Sequence, residues 1–132
     1  MDDFRQMASD DTVALARAAA EAIRGLNHAT RCDAGLGQPS AACDVIGALS
    51  LAASRLGQLL TQITGYLDRS LQAGRLGHDL GEDPALDING AGVFLGDARL
   101  SAAALAGDLS QAQEQLAHVN GCPARRNPQD QA

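Results

Sequence analysis

Five residues able to bind metal or exchange disulfides fall near predicted helix ends: His28, Cys32, Cys43, His118 and Cys122. The pairs His28/Cys32 and His118/Cys122 are each spaced i, i+4, which puts both side chains on one helix face. Zinc takes four tetrahedral ligands of these types, so a set drawn from the five would suit a structural zinc ion. Cys43 falls in the first turn of a predicted helix, where the positive dipole end favours a thiolate and hence metal or redox chemistry. Against this, no Cys-x-x-Cys occurs. Free cysteines commonly serve as small buried hydrophobes, and histidine near a helix C-terminus is favoured by the dipole. A Cys32–Cys43 disulfide is a further option, one that a reducing cytoplasm disfavours. The balance favours structural roles and no cofactor, with zinc or redox pairing as the alternative.

Arg17, Arg24 and Arg31 recur every seven residues, and Arg55 and Arg69 echo them further on. Such a stripe could grip an acidic partner or a phosphate backbone. Solvated flanking charges, paired across helices with acids such as Asp44 and Asp108, explain it more simply. His78 stands in a Gly-rich loop with Asp79, Glu82 and Asp83, which reads as solvated loop charge. Enzyme signatures are missing from the sequence. Without lysine there is no phosphate loop of the usual kind, and no Gly-x-Ser-x-Gly elbow occurs. The three glutamates, Glu21, Glu82 and Glu114, cannot build the repeated Glu-x-x-His of a di-metal bundle. A non-enzymatic protein is expected.

Three helices must position these residues. Phe4, Ala8, Thr12, Leu15, Ala19, Ile23 and Leu26 lie at helical spacing, yet Ser9-Asp10-Asp11 resembles an N-cap with acidic first-turn residues. The first helix is therefore expected over residues 10–29, with a start near Asp3 left open. Ser40 is the expected N-cap of a second helix over 40–76. There Val45, Leu49, Ala52, Leu56, Leu59, Ile63, Tyr66 and Ser70 form an apolar stripe, thickened by Ile46, Ala53, Leu60, Leu67 and Leu71. Asp83-Pro84 opens a third helix over 84–120, whose stripe runs from Ile88 through Leu95, Ala102 and Leu109 to Leu116 and Val119. Gly121 and Pro123 end it, and residues 123–132 read as a disordered tail.

The expected fold is all-α, an antiparallel up-down-up three-helix bundle forming one domain over residues 1–122. Its second and third helices make a long coiled-coil-like hairpin. Folding that hairpin about Leu80 would set Tyr66 level with Phe94, and an extended first helix would add Phe4 to the same layer. A first helix too short to cover the lower hairpin would leave an apolar face, the mark of a protein-binding surface.

Composition narrows the classes. The net charge of −6 argues against a general nucleic-acid binder. All ten basic residues are arginine, which is the codon usage of a GC-rich genome rather than a functional trait. No run of 18 apolar residues appears, so no membrane partner is expected. Met1-Asp2-Asp3 does not open a secretory signal, which gives a cytoplasmic expectation. Ala22-Ile23-Arg24-Gly25-Leu26-Asn27-His28, Gly74-Arg75-Leu76 and Asp83-Pro84 together resemble small Ala-, Leu- and Arg-rich all-helical proteins of high-GC Gram-positive bacteria. That resemblance implies a helical fold and no particular activity. The hairpin is also similar to small helical export proteins with a Trp-x-Gly turn, but the chain has no Trp and their function is not carried over.

The sequence thus reads as a protein–protein interaction module, a homodimer or the partner of another helical protein. Its expected surface combines Tyr66, Leu67, Leu71, Ile88 and Phe94 with Arg17, Arg24 and Arg31 of the first helix.

Overall fold

A computed structural model describes residues 2–119. Among them are three α-helices, α1 (Asp2–Ala29), α2 (Pro39–Gln72) and α3 (Pro84–Leu116), and one 3-10 turn, Asp33–Gly35. Cys122 and the tail at 123–132 lie outside the described residues.

The boundaries follow from local chemistry. Helix α1 starts at Asp2 rather than at residue 10. Ser9 does not cap it: its Oγ donates to the Gln6 carbonyl at 2.9 Å, and Thr12 Oγ1 likewise donates to the Ala8 carbonyl at 2.9 Å. A Ser can bond back along a helix as readily as it can open one, and here the earlier periodicity from Phe4 prevails. Helix α2 begins at Pro39, with Gln38 as an extended N-cap, so Ser40 lies inside the first turn. It ends at Gln72 instead of residue 76. Gly74, at φ 69°, donates to the Leu71 carbonyl, and Arg75 N–H reaches the Ser70 carbonyl at 3.0 Å. This pair of bonds around a left-handed glycine is a Schellman stop. Asp83 does cap α3, accepting the Ala85 amide N–H at 3.0 Å, with Pro84 at the first helical position.

Helices α2 and α3 pack antiparallel along their length as a hairpin. Contacts between them set the register: Cys43 opposes Gln113, Ser50 opposes Ala106, and Thr61 opposes Arg99. The α2 seam consists of Ile46, Ser50, Ala53, Gly57, Leu60, Thr64, Leu67 and Leu71, most of them buried or half-buried. Five of these, Ile46, Ala53, Leu60, Leu67 and Leu71, are the residues expected to thicken the stripe, and the contact is centred one residue on from its main row, a rotation of about 100°. On α3 the seam takes Ile88, Gly92, Leu95, Ala102, Ala106, Leu109, Gln113 and Leu116. Small residues, Ser50, Ala53 and Gly57 on α2 and Gly92, Ala102 and Ala106 on α3, alternate with Leu and Ile along the seam. At Gly47 a Cβ would collide with the Gln113 amide, whose Nε2 donates to the Cys43 carbonyl at 3.4 Å.

Helix α1 does not complete a bundle within the chain. Every residue from Asp3 to Gly25 is exposed. Its connection to α2 is nonetheless well ordered by hydrogen bonds. Thr30 Oγ1 donates to the Leu26 carbonyl at 2.7 Å, Gly37 N–H to the Asp33 carbonyl at 2.9 Å, and a Cβ at Gly35 would collide with the Ala29 carbonyl. The register of Thr61 against Arg99 does set Tyr66 level with Phe94, as expected, but no buried aromatic layer forms: Phe4, Tyr66 and Phe94 are 80%, 58% and 75% exposed.

Candidate functional site

The hairpin has two unlike flanks. Helical geometry, at about 100° per residue, puts Leu56, Leu59, Ile63 and Tyr66 of α2 on one side of the seam. In an antiparallel pair, Phe94, Ala98 and Leu105 of α3 fall on that same side. All but Ala98 are large, exposed hydrophobics. The opposite flank is smaller and more mixed: Thr61, Thr64, Asp68, Gly92, Gly96 and Arg99, over Leu60 and Leu95, line a shallow groove of about 360 Å³. There Arg99 Nη1 donates to Thr61 Oγ1 at 3.3 Å, and Ser50 Oγ to the Ala106 carbonyl at 2.8 Å. A continuous apolar flank of this kind is uncommon on a protein that acts alone.

Near the apolar flank, Arg5, Ser9, Thr12 and Val13 of α1 share an open cavity of about 600 Å³ with Tyr66 and Arg75. Helix α1 therefore runs past the far end of the hairpin with space between them. Of its apolar stripe, only Thr12 lines that cavity. Phe4 and Leu15 of that stripe are 80% and 73% exposed.

The residues expected at a partner surface divide accordingly. Tyr66 and Phe94 are exposed on the apolar flank, whereas Leu67, Leu71 and Ile88 are half-buried in or beside the seam. Arg17, Arg24 and Arg31 are exposed on and just beyond α1. Arg24 pairs with Glu21 of its own helix at 3.4 Å, and among the described residues no ion pair links this stripe to α2 or α3.

The cysteine and histidine pole is differently built. Cys43 is 1% exposed and disulfide-bonded, while Cys32 is free and exposed, so the Cys32–Cys43 pairing does not form. A disulfide sulfur offers no thiolate to a metal. His28 and His118 are exposed, and Cys122 lies outside the described residues. Among the described residues no three His, Cys, Asp or Glu side chains gather in a group that would hold a metal ion.

His78 departs from the solvated loop expected of it. Its side chain is 17% exposed; Nε2 lies 2.7 Å from Asp87 Oδ2, and Nδ1 accepts the Leu80 amide N–H at 3.1 Å. With Asp79 Oδ1 3.4 Å from Nδ1 as well, these contacts tie the interhelical loop to the first turn of α3. The spacing from His78 to Asp87 spans the loop, so no helical periodicity announces the contact.

By length and composition α2 alone is apolar enough to cross a membrane, with a mean hydropathy of 1.2 over its best window. The core helix of a water-exposed protein passes the same test, and a single such helix is weak evidence. No protein family, curated protein or solved structure matches the chain. The described residues define a class, a long antiparallel helical hairpin preceded by a largely exposed helix, with an uncovered apolar flank beside its seam and further exposed apolar residues, Leu86, Val93 and Leu100, on the far face of α3.

Proposed function

We propose that the protein is a non-enzymatic protein–protein interaction module that self-associates through the apolar flank of its hairpin, completing a helical bundle between chains. The observation that carries this reading is the row Leu56, Leu59, Ile63 and Tyr66, exposed beside Phe94 and Leu105 on one side of the hairpin. Most of these side chains are already about half covered, so burying the remainder stabilises association by about 0.7–1.5 kcal/mol each, before the entropy of association is subtracted. The exposed groove of Thr61, Gly92 and Arg99 offers no comparable driving force. Nucleic acid is disfavoured as a partner by the −6 charge. Sedimentation velocity across the micromolar range is expected to show a mass above that of one chain, with a concentration-dependent approach to dimer. A monomer at all concentrations, with no helical protein bound, would overturn the reading.

A second reading rests on the Cys43 disulfide. It favours a redox-responsive pole over a zinc site and an oxidising compartment over the cytoplasm. Alkylation without reductant is expected to label Cys32 and leave Cys43 unlabelled. Reduction by a dithiol should lower stability by about 2–4 kcal/mol in chemical denaturation. Labelling of Cys43 in the native, unreduced protein would remove this reading.

A further inference from the structure

We infer that the bonding partner of Cys43 is Cys122 of the same chain, so that a disulfide joins the start of α2 to the segment after α3 and closes the open end of the hairpin. The inference deepens the redox reading and rests on it. The sequence holds three cysteines, Cys32, Cys43 and Cys122. Cys43 is disulfide-bonded, whereas Cys32 is free and exposed. Cys122 lies outside the described residues, and it is the one thiol left to bond Cys43 within the chain.

The described residues bring the two positions within reach. Gln113 Nε2 donates to the Cys43 carbonyl, so the last turns of α3 stand beside the first turns of α2. Beyond α3, Ala117 N–H donates to the Gln113 carbonyl at 2.9 Å and Val119 N–H to that of Leu116 at 2.9 Å, which keeps the chain coiled as far as Val119. At about 1.5 Å per residue Val119 is ~9 Å past Gln113 along the axis, and packed helices lie about 8–10 Å apart. Val119 therefore stands on the order of 13 Å from Cys43. Three residues of chain span up to ~10 Å, and a disulfide bridges Cα atoms about 5–6 Å apart. Together they cover the distance. Cys32 is held elsewhere: its carbonyl accepts the Gly35 N–H at 3.0 Å at the head of the 3-10 turn.

Forming the bond takes one proton and one electron from each thiol. An external disulfide of the glutathione type accepts both and leaves as two thiols. The ring so closed contains the whole hairpin, and a bond across so long a loop restricts the unfolded chain strongly. Burial protects it as well. Cys43 is 1% exposed, so a dissolved thiol reaches its sulfur only when that end of the hairpin opens.

The test is disulfide mapping of the full chain equilibrated with oxidised and reduced glutathione, alkylated without further reduction and cut on the N-terminal side of aspartate. Each cysteine then falls in its own peptide, residues 11–32, 33–43 and 108–129. The expected result is an intact mass of one chain, with peptide 33–43 joined to 108–129 and Cys32 alkylated. Peptide 33–43 joined to 11–32, or a disulfide-linked dimer, would overturn this pairing and leave a bonded Cys43 standing. An alkylated Cys43 would overturn the pairing and the redox reading together. A second measurement reads the clamp itself. Cys122→Ser is expected to lower the melting temperature by ~10 °C, with no further drop on adding a dithiol, while Cys32→Ser melts with the parent. A Cys122→Ser protein that melts with the parent, or that a dithiol destabilises further, would also overturn the pairing.

Discussion

Replacing Ala53 by aspartate is expected to unfold the hairpin. Ala53 is 3% exposed in the α2 seam, where small residues alternate with Leu and Ile. An aspartate there has to bury a carboxylate without a cationic partner or displace α3, and either outcome costs about 3 kcal/mol or more. A domain of this size has only about 5–15 kcal/mol of stability in total, so the loss is a large share of it. Far-UV circular dichroism during thermal and urea unfolding reads the effect. The control is Gln58→Asp on the exposed side of the same helix, which should stay within about 0.5 kcal/mol of the parent. If Ala53→Asp and Gln58→Asp unfolded alike, the seam assigned to α2 would be wrong.

Leu59→Arg is expected to do the reverse, leaving the hairpin folded and removing association. Leu59 is 46% exposed at the middle of the apolar flank. A charge there remains solvated in the single chain and becomes buried only when a partner docks. Central contacts in helical interfaces are commonly worth about 2 kcal/mol or more, so the dissociation constant should rise by roughly 30-fold or more. Sedimentation velocity reads the association and circular dichroism the fold. Association unchanged by Leu59→Arg would move the partner surface off this flank. The contrast between Ala53 and Leu59, six residues apart on one helix, separates the packed side from the docking side.

Much of this was legible in the residues. Asp83-Pro84 announced α3 because an acceptor side chain followed by proline satisfies a helix start whatever surrounds it. The three-helix composition and the α2–α3 hairpin followed from periodicities that no other regular structure accommodates. The start of α1 was less legible, since Ser9-Asp10-Asp11 is compatible with both a cap and an interior turn. The His78–Asp87 contact was hidden, being set by how the loop folds back. The Cys43 disulfide was hidden too, because pairing depends on which thiols the fold brings together and not on their spacing in sequence.

The sequence by itself determined that α2 is long, apolar on more than one side and in need of neighbours. Only the tertiary structure decided which side is spent on α3. Hydropathy ranks Leu49, Leu56, Leu59, Ile63 and Tyr66 as the seam. The helices meet instead along Ser50, Ala53, Gly57, Leu60 and Thr64, one residue further on. The reason is steric as much as hydrophobic. Where the seam residues are small, Ser50 reaches the Ala106 carbonyl and Gln113, beside Gly47, reaches that of Cys43, between leucines that pack above and below. The stretch of the apolar stripe from Leu56 to Tyr66 is thereby left on the surface, where the proposed association would use it.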